Sequence, residues 1–382
     1  MPNPVPKRID THVHVAVLGD DPGFAKYGKV SAWMRDQLSF KIFLLFARIA
    51  PDQVSDQALR DKALKTVDQS GLDHVVSLAL DPVYDSGGNR REDLSNLWVS
   101  NEYIIRELIP RSNGRILLGA SVHPYDPEFE ERVAECVQAG AVLLKWLPSA
   151  QHINLADPRV RDALKVLATA KPSGQPLPLL LHVGVEYAIM TTNPATTSWD
   201  FLSWGSLDRI RNGLRRKRDR WATPDIAGAR ANLRAGLEAG AQIIMAHCGL
   251  PYFAPPFLRF LEHDDFGVVR EFLQETVARP DRKGRCFADV SACVSPFREG
   301  YFPKIRKLPE DLLLVGSDFP VPIFELSAAL KEHLRDLEAM IMRGELERVV
   351  VPQDNLLDVN WRELRHAFGE HPMFSTAEQL LL

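Results

Sequence analysis

Short aliphatic and β-branched runs recur along the chain, each followed by a longer stretch whose apolar positions repeat with helical period. The first run, Ile9 to Val15, predicts a strand. Asp56 to Ser70 predicts a helix closed by Gly71, and His74 to Leu80 a second strand. The alternation continues with a helix from about Asp93 to Leu108, a strand over Ile116 to Val122, a helix from Pro127 to Ala139 stopped by Gly140, and a strand over Val142 to Leu147. A helix from about Asp157 to Ala170, the strand Leu177 to Val183, a helix from Asp225 to Ala239 and the strand Ala241 to Ala246 follow. Cys286 to Ser291 and Leu312 to Gly316 predict the last two strands.

About eight apolar strands alternating with amphipathic helices imply parallel strands buried on both faces, the count that closes a (β/α)8 TIM barrel. An open doubly wound sheet is the alternative, but no Gly-x-Gly-x-x-Gly loop follows the first strand. Two stretches interrupt the alternation and predict long insertions after strands one and five, within one barrel domain spanning 1–382. Residues 16–55 contain Trp33, Met34 and the run Phe40 to Phe46, an apolar excursion expected to cover the barrel mouth or a subunit contact. Residues 186–223 carry Trp199, Trp204 and Trp221 among Arg209, Arg211, Arg215, Arg216, Lys217, Arg218 and Arg220, which read as a solvated helix face. The segment Cys248 to Pro256, with Gly249, Pro251, Pro255 and Pro256, predicts irregular structure.

The 382 residues are 45% hydrophobic and 25% charged, with a formal net charge of −4. That balance argues against nucleic acid or an anionic membrane as a partner and favours a small-molecule substrate; a homodimer stays open. Met1 to Arg8 lacks the apolar core of a signal peptide, so a cytoplasmic location is expected. Cys136, Cys248, Cys286 and Cys293 show no Cys-x-x-Cys spacing and are expected to be reduced.

In a barrel the strand ends face a shared mouth. Strand one carries His12 and His14, whose i, i+2 spacing lets both reach one point. Strand four ends near Lys145, strand five at His182, strand six at His247 and strand eight at Asp318. Each is a metal ligand or proton carrier placed where a charge or imidazole is costly to bury. Asp81 after strand two, His123 after strand three, and Asp289 and Ser291 near the end of strand seven either line the mouth or cap the following helices. His74, His152, His263, His333, His366 and His371 read as structural or solvated.

These stretches, Asp10-Thr11-His12-Val13-His14, Leu144-Lys145-Trp146-Leu147-Pro148, Leu181-His182-Val183-Gly184, Met245-Ala246-His247-Cys248-Gly249 and Val315-Gly316-Ser317-Asp318-Phe319-Pro320, resemble the amidohydrolase superfamily. The resemblance is to its branch related to the aminocarboxymuconate-semialdehyde decarboxylases. It implies that His12, His14, His182 and Asp318 ligate one divalent metal, with zinc expected first. It also implies that Asp318 takes a proton from the attacking water and that His247 polarises the substrate or shuttles the proton. Binuclear relatives carry a carboxylated lysine at the position of Lys145, with His182 and His247 holding a second ion; one ion is expected here, two if Lys145 is carboxylated. Imidazoles and a carboxylate suit zinc, manganese or iron on chemical grounds alone.

The leading expectation is metal-dependent hydrolysis of an ester, lactone or amide. Non-oxidative decarboxylation is the alternative, with Arg298 or the basic insertion as the cation facing the departing carboxylate. Asp81, His123, Trp146 and Arg298 are the candidate substrate contacts. A non-catalytic anion-binding barrel is the third reading, disfavoured by the intact set of polar strand ends.

Overall fold

A computed structural model of the chain describes residues 6–186, 188–189, 191–193, 196–204, 225–250, 263–295, 298–321, 323, 345, 349 and 351–382. Eight strands pair in parallel and in chain order: β1 (Ile9–His14), β2 (His74–Leu78), β3 (Ile116–Ala120), β4 (Ala141–Trp146), β5 (Leu179–Leu181), β6 (Ile243–Met245), β7 (Cys286–Asp289) and β8 (Leu313–Leu314). The sheet closes on itself through residues just past β8. Thr11 N–H donates to the Val315 carbonyl at 3.0 Å, Asp318 N–H to that of His12 at 2.8 Å, and His14 N–H to that of Phe319 at 2.8 Å. This is the (β/α)8 barrel that the alternation predicts, with apolar strands buried on both faces.

Among the described residues the helices of nine or more residues are α1 (Leu38–Ala47), α2 (Asp56–Asp68), α3 (Phe129–Gln138), α4 (Pro158–Leu167), α5 (Ile226–Ala239), α6 (Asp265–Ala278), α7 (Leu356–Phe368) and α8 (Met373–Leu381). Their starts follow capping chemistry: the side chains of Ser55, Asp157, Asp225, Asp264 and Asn355 each accept a backbone N–H of the first turn. No helix among the described residues is long and apolar enough to cross a membrane.

One expected element is corrected. Residues 93–108 do not form a single helix: Leu97–Val99 is a strand paired antiparallel with Gly28–Val30, and helical structure starts at Asn101. Trp98 and Val99 are aromatic and β-branched residues that bury well against a pleated neighbour, and the Ser100 hydroxyl then caps the turn that follows. The close approach requires a glycine at position 28, where a Cβ would stand 2.7 Å from the Trp98 carbonyl oxygen.

The excursion after β1 builds a small core of its own. Met34, Phe40, Leu44 and Ala47 pack with Ala16, Leu18, Val30, Ile49 and Leu59 of α2, while Phe46 joins the main core. Trp33 is 39% exposed in the single chain. Asp56, at the start of α2, ties the excursion down. Its two carboxylate oxygens accept the backbone N–H groups of Leu18, Gly19, Asp20 and Asp21 at 2.6–3.1 Å. The basic run Arg209 to Arg220 with Trp221, the prolines 251, 255 and 256, and His333 lie outside the described residues.

Candidate metal centre

The site begins with an irregularity in β1. Asp10 pairs with Val75 and Val13 with Ser77, three steps on β1 against two on β2, so the strand bulges where His12 sits. Bulges re-aim side chains, and here the ring nitrogens His12 Nε2 and His14 Nε2 come to 3.2 Å from each other. From the other side of the seam, Asp318 brings Oδ1 to 3.3 Å from His12 Nε2 and 3.0 Å from His14 Nε2. Asp318 reaches there because its backbone is left-handed, at a φ of 62°. A non-glycine residue holds that conformation only when its surroundings impose it. The surroundings are the Asp10 carboxylate, whose Oδ1 accepts the N–H groups of both His12 and Ser317, and the seam bond from Asp318 N–H.

Four ligands at 2.0–2.1 Å from a zinc ion stand about 3.3–3.4 Å apart along the tetrahedron's edges. The three separations just given match a face of such a figure. A further buried atom fits a metal: Nε2 of His182 has no hydrogen-bond partner among the described residues, a costly state for a ring nitrogen unless an ion meets it. His182 is not in the compact group, whose ligand atoms lie within 4.8 Å of one another and comprise His12, His14 and Asp318. It stands next to His247, with ring centroids 5.0 Å apart, and its Nδ1 lies 3.4 Å from Glu186 Oε2. The donor set of imidazoles and a carboxylate therefore suits a divalent transition metal.

Behind the ligands, Asp289 at the end of β7 accepts from His12 Nδ1 at 2.8 Å, which leaves His12 Nε2 as the ring's bare nitrogen. The same carboxylate takes the His247 N–H at 2.7 Å, and Ser291 Oγ lies 2.8 Å from His247 Nδ1. His247 is also left-handed, with a φ of 55°. Its Nδ1 is 3.8 Å from Asp318 Oδ2.

Burial sets the charges. It pushes the His247 imidazole down to about 3, so the ring is neutral, and it carries His182 well below the ordinary histidine range with the help of His247 and Lys145. Burial opposes ionisation of Asp318 and Asp289, but the imidazoles around each outweigh it and hold both carboxyls below their usual value. Lys145 is fully buried in β4, with Nζ 3.3 Å from His12 Nε2; burial lowers its pKa while the facing carboxylates raise it.

The structure thus brings His12, His14, His182, His247, Asp318 and Lys145 to one end of the barrel. The four candidate substrate contacts stand differently. His123 is fully buried, its Nε2 on the Gln151 carbonyl at 2.8 Å and its Nδ1 accepting from Tyr125 N–H, so neither nitrogen is left for a substrate. Asp81 accepts the His123 N–H and faces Arg132, and Trp146 is fully buried with Nε1 donating to the Val122 carbonyl. In this structure the polar groups of all three meet protein partners. Arg298 is buried and donates from Nη2 to the Leu250 carbonyl at 3.0 Å.

Glu186 escaped the sequence reading, although its place four residues after His182 was a usable signal. So did Asp200, buried inside the second insertion with Oδ1 accepting Ser149 N–H at 3.0 Å. A cleft of about 560 Å³ between α5, α6 and residues 202–204 is lined by Arg230, Asp264, Arg270 and Glu271 and contains none of the ligand cluster.

No family model matches the chain, and no curated protein matches it. Among solved structures it is similar to a 2,6-dihydroxybenzoate decarboxylase from Rhizobium, with 14% identity over 95% of this chain and 99% of that one and a TM-score of 0.43. It is also similar to amidohydrolase 2 from Bifidobacterium longum subsp. infantis, at 12% identity, 99% of each chain and a TM-score of 0.46. A third is an amidohydrolase from Burkholderia multivorans with bound HEPES, at 14% identity, 98% of this chain and 99% of that one, and a TM-score of 0.45. At such scores the fold rests on the strand pairing described above.

Proposed function

We propose that this protein is a metal-dependent hydrolase that adds water to the carbonyl carbon of a small ester, lactone or amide. The observation that supports it is the group of His12 Nε2, His14 Nε2 and Asp318 Oδ1, mutually 3.0–3.3 Å apart, beside the unpartnered Nε2 of His182. A divalent ion held by these residues supplies Lewis acidity for a carbonyl and brings the pKa of a water to about 7. Asp318, ionised and at the mouth, accepts a proton from the attacking water. Neutral His247 takes up the proton that Asp318 has accepted from the water and passes it to the leaving group. Asp289 keeps His12 in the tautomer that exposes Nε2, and Glu186 does the same for His182.

Decarboxylation is the second reading, supported by two buried basic side chains, Lys145 and Arg298, of the kind that would face a substrate carboxylate. Metal analysis of the purified protein followed by a substrate screen tests both. A stoichiometric divalent metal and acid release from esters, lactones or amides are expected. Carbon dioxide from carboxylated rings or enoates would select the second reading, and a protein that binds no divalent metal would end both.

A further inference from the structure

Ser291 lies two residues past the end of β7 and is fully buried. Three groups surround its hydroxyl: the Asp289 carboxylate through Oδ1, His247 Nδ1 at 2.8 Å and His12 Nδ1 at 3.1 Å. A serine hydroxyl has one proton to give and two lone pairs to accept with. The distribution of protons among these groups follows from their chemistry.

The His12 ring nitrogen faces Asp289 Oδ2 at 2.8 Å, so it is an N–H that donates to a carboxylate. The Ser291 proton goes to Asp289 Oδ1, because an ionised carboxylate can only accept. Directing it at His247 instead would leave two oxygens facing each other lone pair to lone pair in a buried site, which is repulsive. With that proton assigned, Ser291 Oγ can only accept from His247, and His247 Nδ1 must carry the hydrogen. The backbone supports the arrangement, since Asp289 Oδ1 also takes the N–H groups of His247 and of Ser291 itself.

We propose that Ser291 is a positioning residue whose hydroxyl holds His247 in the Nδ1–H tautomer, leaving Nε2 as the acceptor of the ring. A neutral His247 in this form takes a proton at Nε2 and cannot give one. On protonation the imidazolium keeps its Nδ1–H on Ser291, and the Asp289 carboxylate lies one hydroxyl away to stabilise the charge. Hydrolysis starts from a ring of this kind, whereas a proton donor to a carbanion must be loaded beforehand. The meaning for turnover rests on the hydrolase reading above; the tautomer does not.

The test uses the full-length protein loaded with zinc and labelled with ¹⁵N in its histidine rings. Long-range proton–nitrogen correlation spectra report the tautomer, and the His247 signals are assigned by their loss in His247→Gln. The expected wild-type pattern has Nδ1 protonated and Nε2 bare. In Ser291→Ala that pattern shifts toward a mixture or toward Nε2–H, and Ser291→Thr, which keeps the hydroxyl, restores it. On a confirmed substrate Ser291→Ala lowers kcat by about 10-fold with little change in KM or metal content, and Ser291→Thr recovers most of it. A wild-type His247 that is protonated at Nε2 overturns the proposal even if Ser291→Ala fails to fold. So does a folded Ser291→Ala whose His247 signals match wild type. A correct tautomer in a protein that hydrolyses nothing would leave the Ser291 assignment standing and remove the hydrolase reading.

Discussion

The proposed mechanism gives Asp318 both a ligand position and a base position, and the two roles separate on substitution. Asp318→Asn keeps the side-chain shape and one carbonyl oxygen, so the fold should survive while the rate falls by at least ~100-fold, as read by turnover beside a thermal melt. His247→Asn should leave metal content near wild type and lower turnover; loss of about half of a two-ion complement by elemental analysis would instead favour the binuclear arrangement. A different residue governs acid stability. Burial pushes the His123 imidazole down to about 3 from an ordinary 6.5. Below pH 6.5 the unfolded chain takes up a proton that the folded chain refuses, so the stability this residue contributes is present above pH 6.5 and is lost as pH falls. The slope is about 1.36 kcal/mol per pH unit, or about 2 kcal/mol between pH 6.5 and 5. Urea titrations of wild type and His123→Gln across that window should show the variant less stable at pH 7 but with a shallower dependence. Of these residues, His12, His14 and Asp318 were legible as site candidates because motif spacing marks them. Asp289 and Ser291 were legible as residues near the end of strand seven that line the mouth or cap a helix, but their bonds to His12 were not, since these span 277 and 279 residues and no local pattern announces them.

At the scale of elements, the strands were legible and their ends were not. The run Ala241 to Ala246 reads as a strand, yet β6 stops at Met245 and the next residues turn into a tight coil in which His247 and Cys248 are left-handed. Periodicity reports burial, not the φ angles that terminate a strand. Residues 93–108 misled for a related reason, because a pairing partner at residues 28–30 overrode helical spacing. The excursion after β1 supplies the prediction at this scale. Asp56→Ala would leave four backbone N–H groups of residues 18–21 without their acceptor, and burial of such donors costs about 1–3 kcal/mol each when water cannot replace the bond. Partial access of water limits the sum to roughly 2–4 kcal/mol. A lowered denaturation midpoint with early proteolysis confined to residues 16–55 is expected; proteolysis unchanged from wild type would show that Asp56 does not hold the excursion.

Across the whole molecule, the proposed ligands lie in the first strand and just past the fifth and the last. A bound ion therefore ties both ends of the barrel to its middle, and its affinity becomes folding stability. Free metal at 1,000 times its dissociation constant should add about 4 kcal/mol. For a chain of 382 residues, whose unfolding entropy near 60 °C is about 0.8 kcal/mol/K, that corresponds to a rise in melting temperature of about 5 °C. Calorimetry with and without a chelator checks it, and no shift would mean that the ion does not bridge these strands.

The seam between β1 and β8 also fixes when such a site can exist during synthesis. His12 and His14 leave the ribosome before Asp318, which follows after some 300 more residues, about 15–60 s later at 5–20 residues per second. Through that interval the nascent chain offers two histidines with no carboxylate opposite them and no closing strand to bend β1 into place. Loading is thereby deferred until Asp318 has emerged, and ribosome-bound chains stalled before residue 318 should retain no more zinc than the same chains with His12 and His14 replaced.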